Sequence, residues 1–233
     1  MRNESSSHGL TYAELLVSIS IIAIFATLAV PAGDRMAGRS LHTKALAHAK
    51  QIGLACKLFA GDYGGKYPSN LLDSDSKVTS TPPTSSNAAL AQLIPDYIPD
   101  EKIFWLPQDK GYCSASEPDG QKPWLGPGEN HWAYVTNLSE SSRSDLPLIA
   151  DSTIPGTTKY SVHKGTPGGT WGGKKAIIIR TDGSGAIENI DRKTMTVSRT
   201  NPDLEDVLQA GQKTWLESAN QLLNPIPPQA NPR

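Results

Sequence analysis

The sequence predicts an α+β fold dominated by one long helix at its start, and three observations carry that prediction. From Leu15 to Gly33 there are 19 residues without a charge. From Met36 to Tyr63 apolar residues recur at roughly helical spacing, until GDYGGKYP ends the pattern. Two later segments, LPLIADS (Leu146–Ser152) and KKAIIIRTDGSGAIENI (Lys174–Ile190), have strand character. The expected architecture is a long N-terminal α-helix, apolar in its first half and amphipathic in its second. That helix packs on a small antiparallel β-sheet, and a C-terminal helix completes the fold.

The apolar run comes first. At 1.5 Å per residue it makes about 28 Å of helix, close to the hydrocarbon thickness of a bilayer. Pro31 lies near its far end, where it is expected to kink or loosen the helix. A cleaved secretory signal, a plain signal anchor and a processed leader all fit the run's length. Glu14 separates them. A carboxylate at the head of an apolar run costs about 2.5–3.5 kcal/mol at the bilayer centre and less near the interface. A secretory signal or simple anchor has no use for it, beyond letting it snorkel to the headgroups.

The segment GLTYAELLVSISIIAIFATLAVPA resembles the N-terminal motif of type IV prepilins: Gly, then Phe, Thr, Leu, Ile, Glu, Leu, Leu and an apolar run. Gly9 matches the residue before the cut, Thr11 and Glu14 match in place, and Leu10 stands where Phe is usual. The resemblance implies that prepilin peptidase cleaves after Gly9 on the cytoplasmic side. It also implies N-methylation of the new amine on Leu10 and pairing of Glu14 with the N-terminal amine of a neighbouring subunit. Inside a packed core such a pair offsets two desolvation penalties that either charge alone would leave standing. The implied organisation is a leader over 1–9 and a transmembrane or filament-core helix over 10–33. A pilin-like globular domain follows over 34–223, including the second half of the stem, and then a disordered tail over 224–233. The chain is then single-pass in the inner membrane, N-terminus cytoplasmic and C-terminal domain periplasmic. Arg35, Arg39, Lys44 and Lys50 follow the helix, and the positive-inside rule read alone points the other way; the leader motif decides the orientation adopted. The implied partners are prepilin peptidase, other pseudopilins or copies of the chain, an inner-membrane assembly platform and membrane lipid.

The helix continues with Met36, Leu41, Ala45, Ile52, Ala55, Leu58 and Phe59 on its apolar side. Gly38 and Gly53 are expected to weaken it and mark bends. QIGLACKLFAGDYGGKYPSNL (Gln51–Leu71) resembles a branch of pseudopilin-like proteins in which such a helix leads into a Tyr-Pro turn, with Tyr67 read as a core plug. SDSKVTSTPPTSSN (Ser74–Asn87) reads as an exposed loop, and AALAQLIPDYIPD as a short helix ended by proline. AIII, DGSG and AIENI read as a β-hairpin. The same branch places a histidine ahead of a glycine-rich stretch, a strand and Asp-Gly. Here His163, TPGGTWGG, AIIIR and Asp182-Gly183 keep that order over a longer loop. Asn201–Asn224 reads as an amphipathic helix capped by Asn201, with Leu204, Val207, Leu208, Trp215, Leu216, Leu222 and Leu223 near one face.

Composition bounds the function. The chain has 233 residues, 22 Lys and Arg against 23 Asp and Glu, and a net charge of -1. There is no basic excess of the kind nucleic acid requires, so no nucleic-acid partner is expected. Cys56 and Cys113 either form one disulfide or stand as separate thiols. No nucleophile elbow, P-loop, His-Glu-x-x-His or glycosidase carboxylate pair is present, and the chain is not read as an enzyme. No cofactor is expected. Related secretion pseudopilins bind calcium, but no motif here maps onto that site; the Asp73-x-Asp75 fragment lacks the later ligands, and no metal ligands are assigned.

The expected function is therefore structural: a pseudopilin subunit of a type II secretion pseudopilus or related type IV filament. The alternative is an inner-membrane-anchored periplasmic binding protein with no filament role. Its glycan platform would need Trp124, Trp132 or Trp171 exposed together.

Overall fold

The computed structural model describes residues 11–72, 75–114, 116–120, 124–198, 206–209 and 219–229; within the first helix the side chains of 26–39 stand outside that description. By its internal contacts the chain divides into two units, Met1–Lys44 and Ala45–Arg233. The first helix, α1 (Tyr12–Asp62, 51 residues), belongs to both.

α1 continues as one helix through Pro31, Gly38 and Gly53, the positions expected to loosen or bend it. In the first unit, every described side chain from Thr11 to Phe25 is exposed. Ser18 and Ser20 turn their hydroxyls onto the carbonyls of Glu14 and Leu16, at 2.8 and 2.7 Å. Each hydroxyl proton thus finds an acceptor on its own helix. Among the described residues, no helix is long and apolar enough to cross a membrane.

The second unit is α+β with an antiparallel sheet. The strands are β1 (Trp132–Val135), β2 (Pro147–Asp151), β3 (Lys175–Arg180), β4 (Gly185–Asn189) and β5 (Leu222–Leu223), in the order β4-β3-β2-β1-β5. The second half of α1 lies on this sheet through Ala45, Ala49, Ile52, Ala55, Cys56, Phe59 and Ala60, all in one core with Ile177, Ile178 and Ile179. Most of these helix residues are small, which lets the backbone come close. Gly53 makes the closest approach rather than a bend: a Cβ there would sit 2.9 Å from Ile179 Cγ2. Leu58, expected in the core, is 54% exposed, because it falls on the side of the helix away from the sheet. The helix stops where expected. Gly64 takes φ +65, and the Gly65 amide donates to Ala60 O at 2.7 Å, closing the last turn in a left-handed cap.

The β3–β4 hairpin forms as predicted, turning at Asp182-Gly183, with Gly183 at φ +86. The short helix α2 (Ser86–Leu90) is capped by Ser85 and followed by a 3₁₀ turn over Ala91–Leu93. Strands β1 and β5 are not anticipated. Nor does the expected C-terminal helix reach its described residues. Leu222 and Leu223 pair with Val135 and Tyr134. Asp206 Oδ1 accepts the Leu208 amide, and Val207 donates to Val197 O. These local bonds and strand pairings compete directly with a helical ladder. The remainder of that segment, 201–205 and 210–218, lies outside the described residues. The tail expected to be disordered is tied down as far as it is described. Ile226 N donates to Asn87 Oδ1, its carbonyl accepts from Gly128, and Asn224 O accepts from Ser86.

Candidate functional site

The first candidate is the start of α1. Thr11 is the residue before the first helical position and Glu14 is three residues on. Glu14 Oε2 accepts from the Thr11 amide at 2.8 Å and from its hydroxyl at 2.9 Å, while Thr11 Oγ1 accepts from the Glu14 amide at 3.3 Å. This is a reciprocal capping box, and the carboxylate also faces the positive end of the helix dipole. The pattern Thr-x-x-Glu ahead of an apolar run is a sequence signal for such a box. Gly9 and Leu10, the expected cleavage and methylation positions, lie outside the described residues.

The second candidate was not legible in the sequence. His131, immediately before β1, is buried between two carboxylates: Nδ1 lies 2.6 Å from Asp109 Oδ2 and Nε2 lies 2.6 Å from Asp151 Oδ1. Their side chains are 0–1% exposed. Asp109 Oδ1 accepts the amides of Gly111 and Tyr112, and its Oδ2 accepts the Ser152 hydroxyl. Asp151 Oδ2 accepts the Ile177 amide at 2.7 Å and Trp171 Nε1 at 2.8 Å. Two acceptors on two ring nitrogens require both to carry protons. Burial alone would lower the imidazole pKa; the hydrogen bonds and charges of Asp109 and Asp151 outweigh it and raise it to about 9. Burial pushes Asp109 up, but bonding and charge from His131, with help from Ser152 and Tyr112, hold it below the usual carboxylate range. With both nitrogens committed and no solvent contact, this imidazolium has no lone pair for base catalysis. It cross-links the 106–112 loop, the start of β1, the end of β2 and the start of β3.

The remaining expectations fall as follows. Cys56 and Cys113 are both buried and free, so the alternative of a disulfide is not realised. Burial pushes both thiols up, with the Asp109 charge adding to the shift at Cys113. Tyr67 is buried and donates to Thr181 O at 3.2 Å. His163 is exposed on the glycine-rich loop, where its carbonyl accepts the Thr166 hydroxyl. The tryptophans do not share a surface: Trp124 is 50% exposed, Trp132 is fully buried, and Trp171 is spent on Asp151. An open cleft of about 290 Å³ is lined by Lys57, Tyr67, Glu140, Ser142, Ser144, Thr181 and Asp182. Among the described residues no group of three or more His, Cys, Asp or Glu is placed to hold a metal ion. No family model matches the chain, and neither a curated protein nor a solved structure does.

Proposed function

We propose that the protein is a pseudopilin, a structural subunit of a type II secretion pseudopilus or a related type IV filament. In this reading prepilin peptidase cuts after Gly9, the Leu10 amine is methylated, and the subunit sits in the inner membrane with its second unit in the periplasm until assembly. The observation that carries the proposal is α1 itself. One unbroken helix exposes every described side chain from Tyr12 to Phe25 and then buries a small-residue face against a sheet. A helical stretch whose described apolar side chains stand exposed calls for lipid or other helices. The Glu14 carboxylate stands at the head of that stretch. Its Oε1 makes no hydrogen bond among the described residues and has lone pairs for a neighbour's amine, while Oε2 holds the cap. A glycan-binding role receives no support from the dispersed tryptophans.

The test is the mature N-terminus together with filament yield. Mass spectrometry of the membrane-extracted protein is expected to find a chain starting at Leu10; a start near Gly33 would mean an ordinary signal peptide. Glu14→Ala is expected to keep leader cleavage and membrane insertion but lose filaments. Removing one side of a pair held in a packed core leaves the other charge unpaired, and the Glu14 half of the capping box goes with it. Glu14→Gln retains capping capacity without the charge and is expected to assemble nearly as poorly. Normal filaments from both variants would sink the proposal.

A further inference from the structure

The near-zero net charge of this chain hides an uneven distribution. Lys110, Lys164, Lys174, Lys175, Arg192 and Lys193 are all exposed. The fold gathers them, although they come from four stretches of sequence. Lys175 Nζ reaches Asn189 Oδ1 across the β3–β4 ladder, and Lys174 O accepts from Ile190, which leads into the turn carrying Arg192 and Lys193. A Cβ on Gly173 would meet Met195 and Val162, one on Gly172 would meet Lys164, and one on Gly165 would meet Lys110. Carboxylates close to these residues are already engaged. Asp191 Oδ1 accepts the Lys193 and Thr194 amides, Glu188 pairs with Arg180 at 2.7 Å, and Asp206 is buried against Thr158.

Setting aside those six cations and Asp191 leaves the chain with 16 Lys and Arg against 22 Asp and Glu. Part of that excess is concentrated on other elements: Asp62 at the end of α1, Asp96 and Asp100 after α2, and Glu117 and Asp119 in the following loop. All five are exposed. Tyr97 donates to Asp62, which ties the helix end to the Asp96 loop. Lys102 lies among them, 3.9 Å from Glu117.

We propose that the basic surface around Lys174 and Lys175 docks on the acidic surface around Asp96 and Asp100 of a second copy of this chain. The choice of a second copy rests on the filament reading above. The charge pattern is what selects it over an unrelated polyanion, because the chain carries both members of a complementary pair. Contact between two different patches is heterologous, and repeated with one rotation it builds an open helical array unless the ring closes. Complementary charge on exposed side chains steers and fixes register while adding modestly to affinity, so the contact is sensitive to salt.

The test is zero-length carbodiimide cross-linking of the full-length protein in membranes, with isotope-labelled and unlabelled copies mixed so that links between copies are distinguished from links within one. Mixed-isotope links from Lys174 or Lys175 to Asp96 or Asp100 are expected. They are expected to fall about tenfold when NaCl rises from about 0.05 to about 0.5 M, across which the screening length shortens severalfold. Lys174→Glu with Lys175→Glu removes the reacting amines along with the charge, and with them the links. Adding Asp96→Lys and Asp100→Lys to that variant is expected to restore them with the polarity reversed, which also answers any doubt about its folding. Links that are absent, insensitive to salt or not recovered by the swap overturn the proposal. Retention of inorganic polyphosphate by the wild-type chain without mixed-isotope links overturns it in favour of a polyanion partner. The mature N-terminus is read on the same samples: links without a cut at Gly9 leave the head contact standing and remove the filament reading, whereas a cut without links does the reverse.

Discussion

The two halves of α1 have the same backbone and opposite side-chain logic. In the first half, Leu15, Leu16, Val17, Ile19, Ile21, Ile22, Ile24 and Phe25 stand 43–67% exposed. In the second half, Ala45, Ala49, Ala55, Cys56 and Ala60, with Gly53 among them, disappear beneath the sheet, joined by only two large side chains, Ile52 and Phe59. Large, branched side chains on every face of a helix cannot all be buried against one sheet; small ones on a single face can. Hydrophobicity already tells these halves apart, since Lys44, Lys50 and Lys57 interrupt the second and no charge interrupts Leu15–Gly33. Size and its distribution around the helix separate them too: the described large side chains of the first half stand exposed, and the small ones of the second half pack on the sheet.

That contrast can be broken from the second unit first. Replacing His131 with Ala leaves Asp109 and Asp151 facing each other in a water-free site, a loss of about 3–5 kcal/mol by analogy with other broken buried pairs. Denaturant unfolding of the chain is expected to show a greatly lowered midpoint. An unchanged midpoint would mean that the cross-link is not a structural element. Gly53→Leu is the next largest change. Its Cβ alone would already crowd Ile179 Cγ2, and overpacking of this kind costs about 1–3 kcal/mol. Ile22→Ala, on the exposed half, is expected to leave the second unit's stability unaltered, so that equal losses from the two would erase the contrast.

The dependence on pH sharpens the same point. His131 has a folded pKa raised to about 9. Its contribution is therefore fully present below the ordinary histidine range, near 6.5, and is lost as pH rises through about 9. Asp109 is lowered from 3.8. Its contribution is present above that value and is lost as pH falls through the folded pKa. Thermal melting of the second unit is expected to peak between these limits and to decline on the alkaline side, and the His131→Ala variant is expected to lose that alkaline decline. Smallest of all, Leu58→Gln on the exposed side of α1 is expected to move stability by no more than about 0.5 kcal/mol, which thermal melting resolves against the Gly53 result.

Local chemistry made α1 readable: an uncharged run, a helical repeat and a glycine cluster each act within a few turns of chain. The β3–β4 hairpin was readable for the same reason, since Asp182-Gly183 sets its turn and the apolar run AIII leads into it. Residues Asn201–Asn224 show the limit. Their apolar spacing suits a helix, but Leu222–Leu223 meets Tyr134 and Val135 some 90 positions earlier in the chain and becomes an edge strand. The Thr11–Glu14 box was present in the sequence as Thr-x-x-Glu, and only the prepilin resemblance drew attention to those residues.

The sequence by itself determined the α+β class, the extent of the long helix and its ending, the hairpin and the near-neutral charge, because each depends on residues close together along the chain. Tertiary structure alone decided which face of α1 is buried and that Cys56 and Cys113 remain separate. It also decided the fate of His131. Asp109, His131 and Asp151 are 22 and 20 residues apart, with no motif to mark them. They become a charged cross-link only because strand pairing brings their loops together where water is excluded and each proton must find an acceptor within the protein.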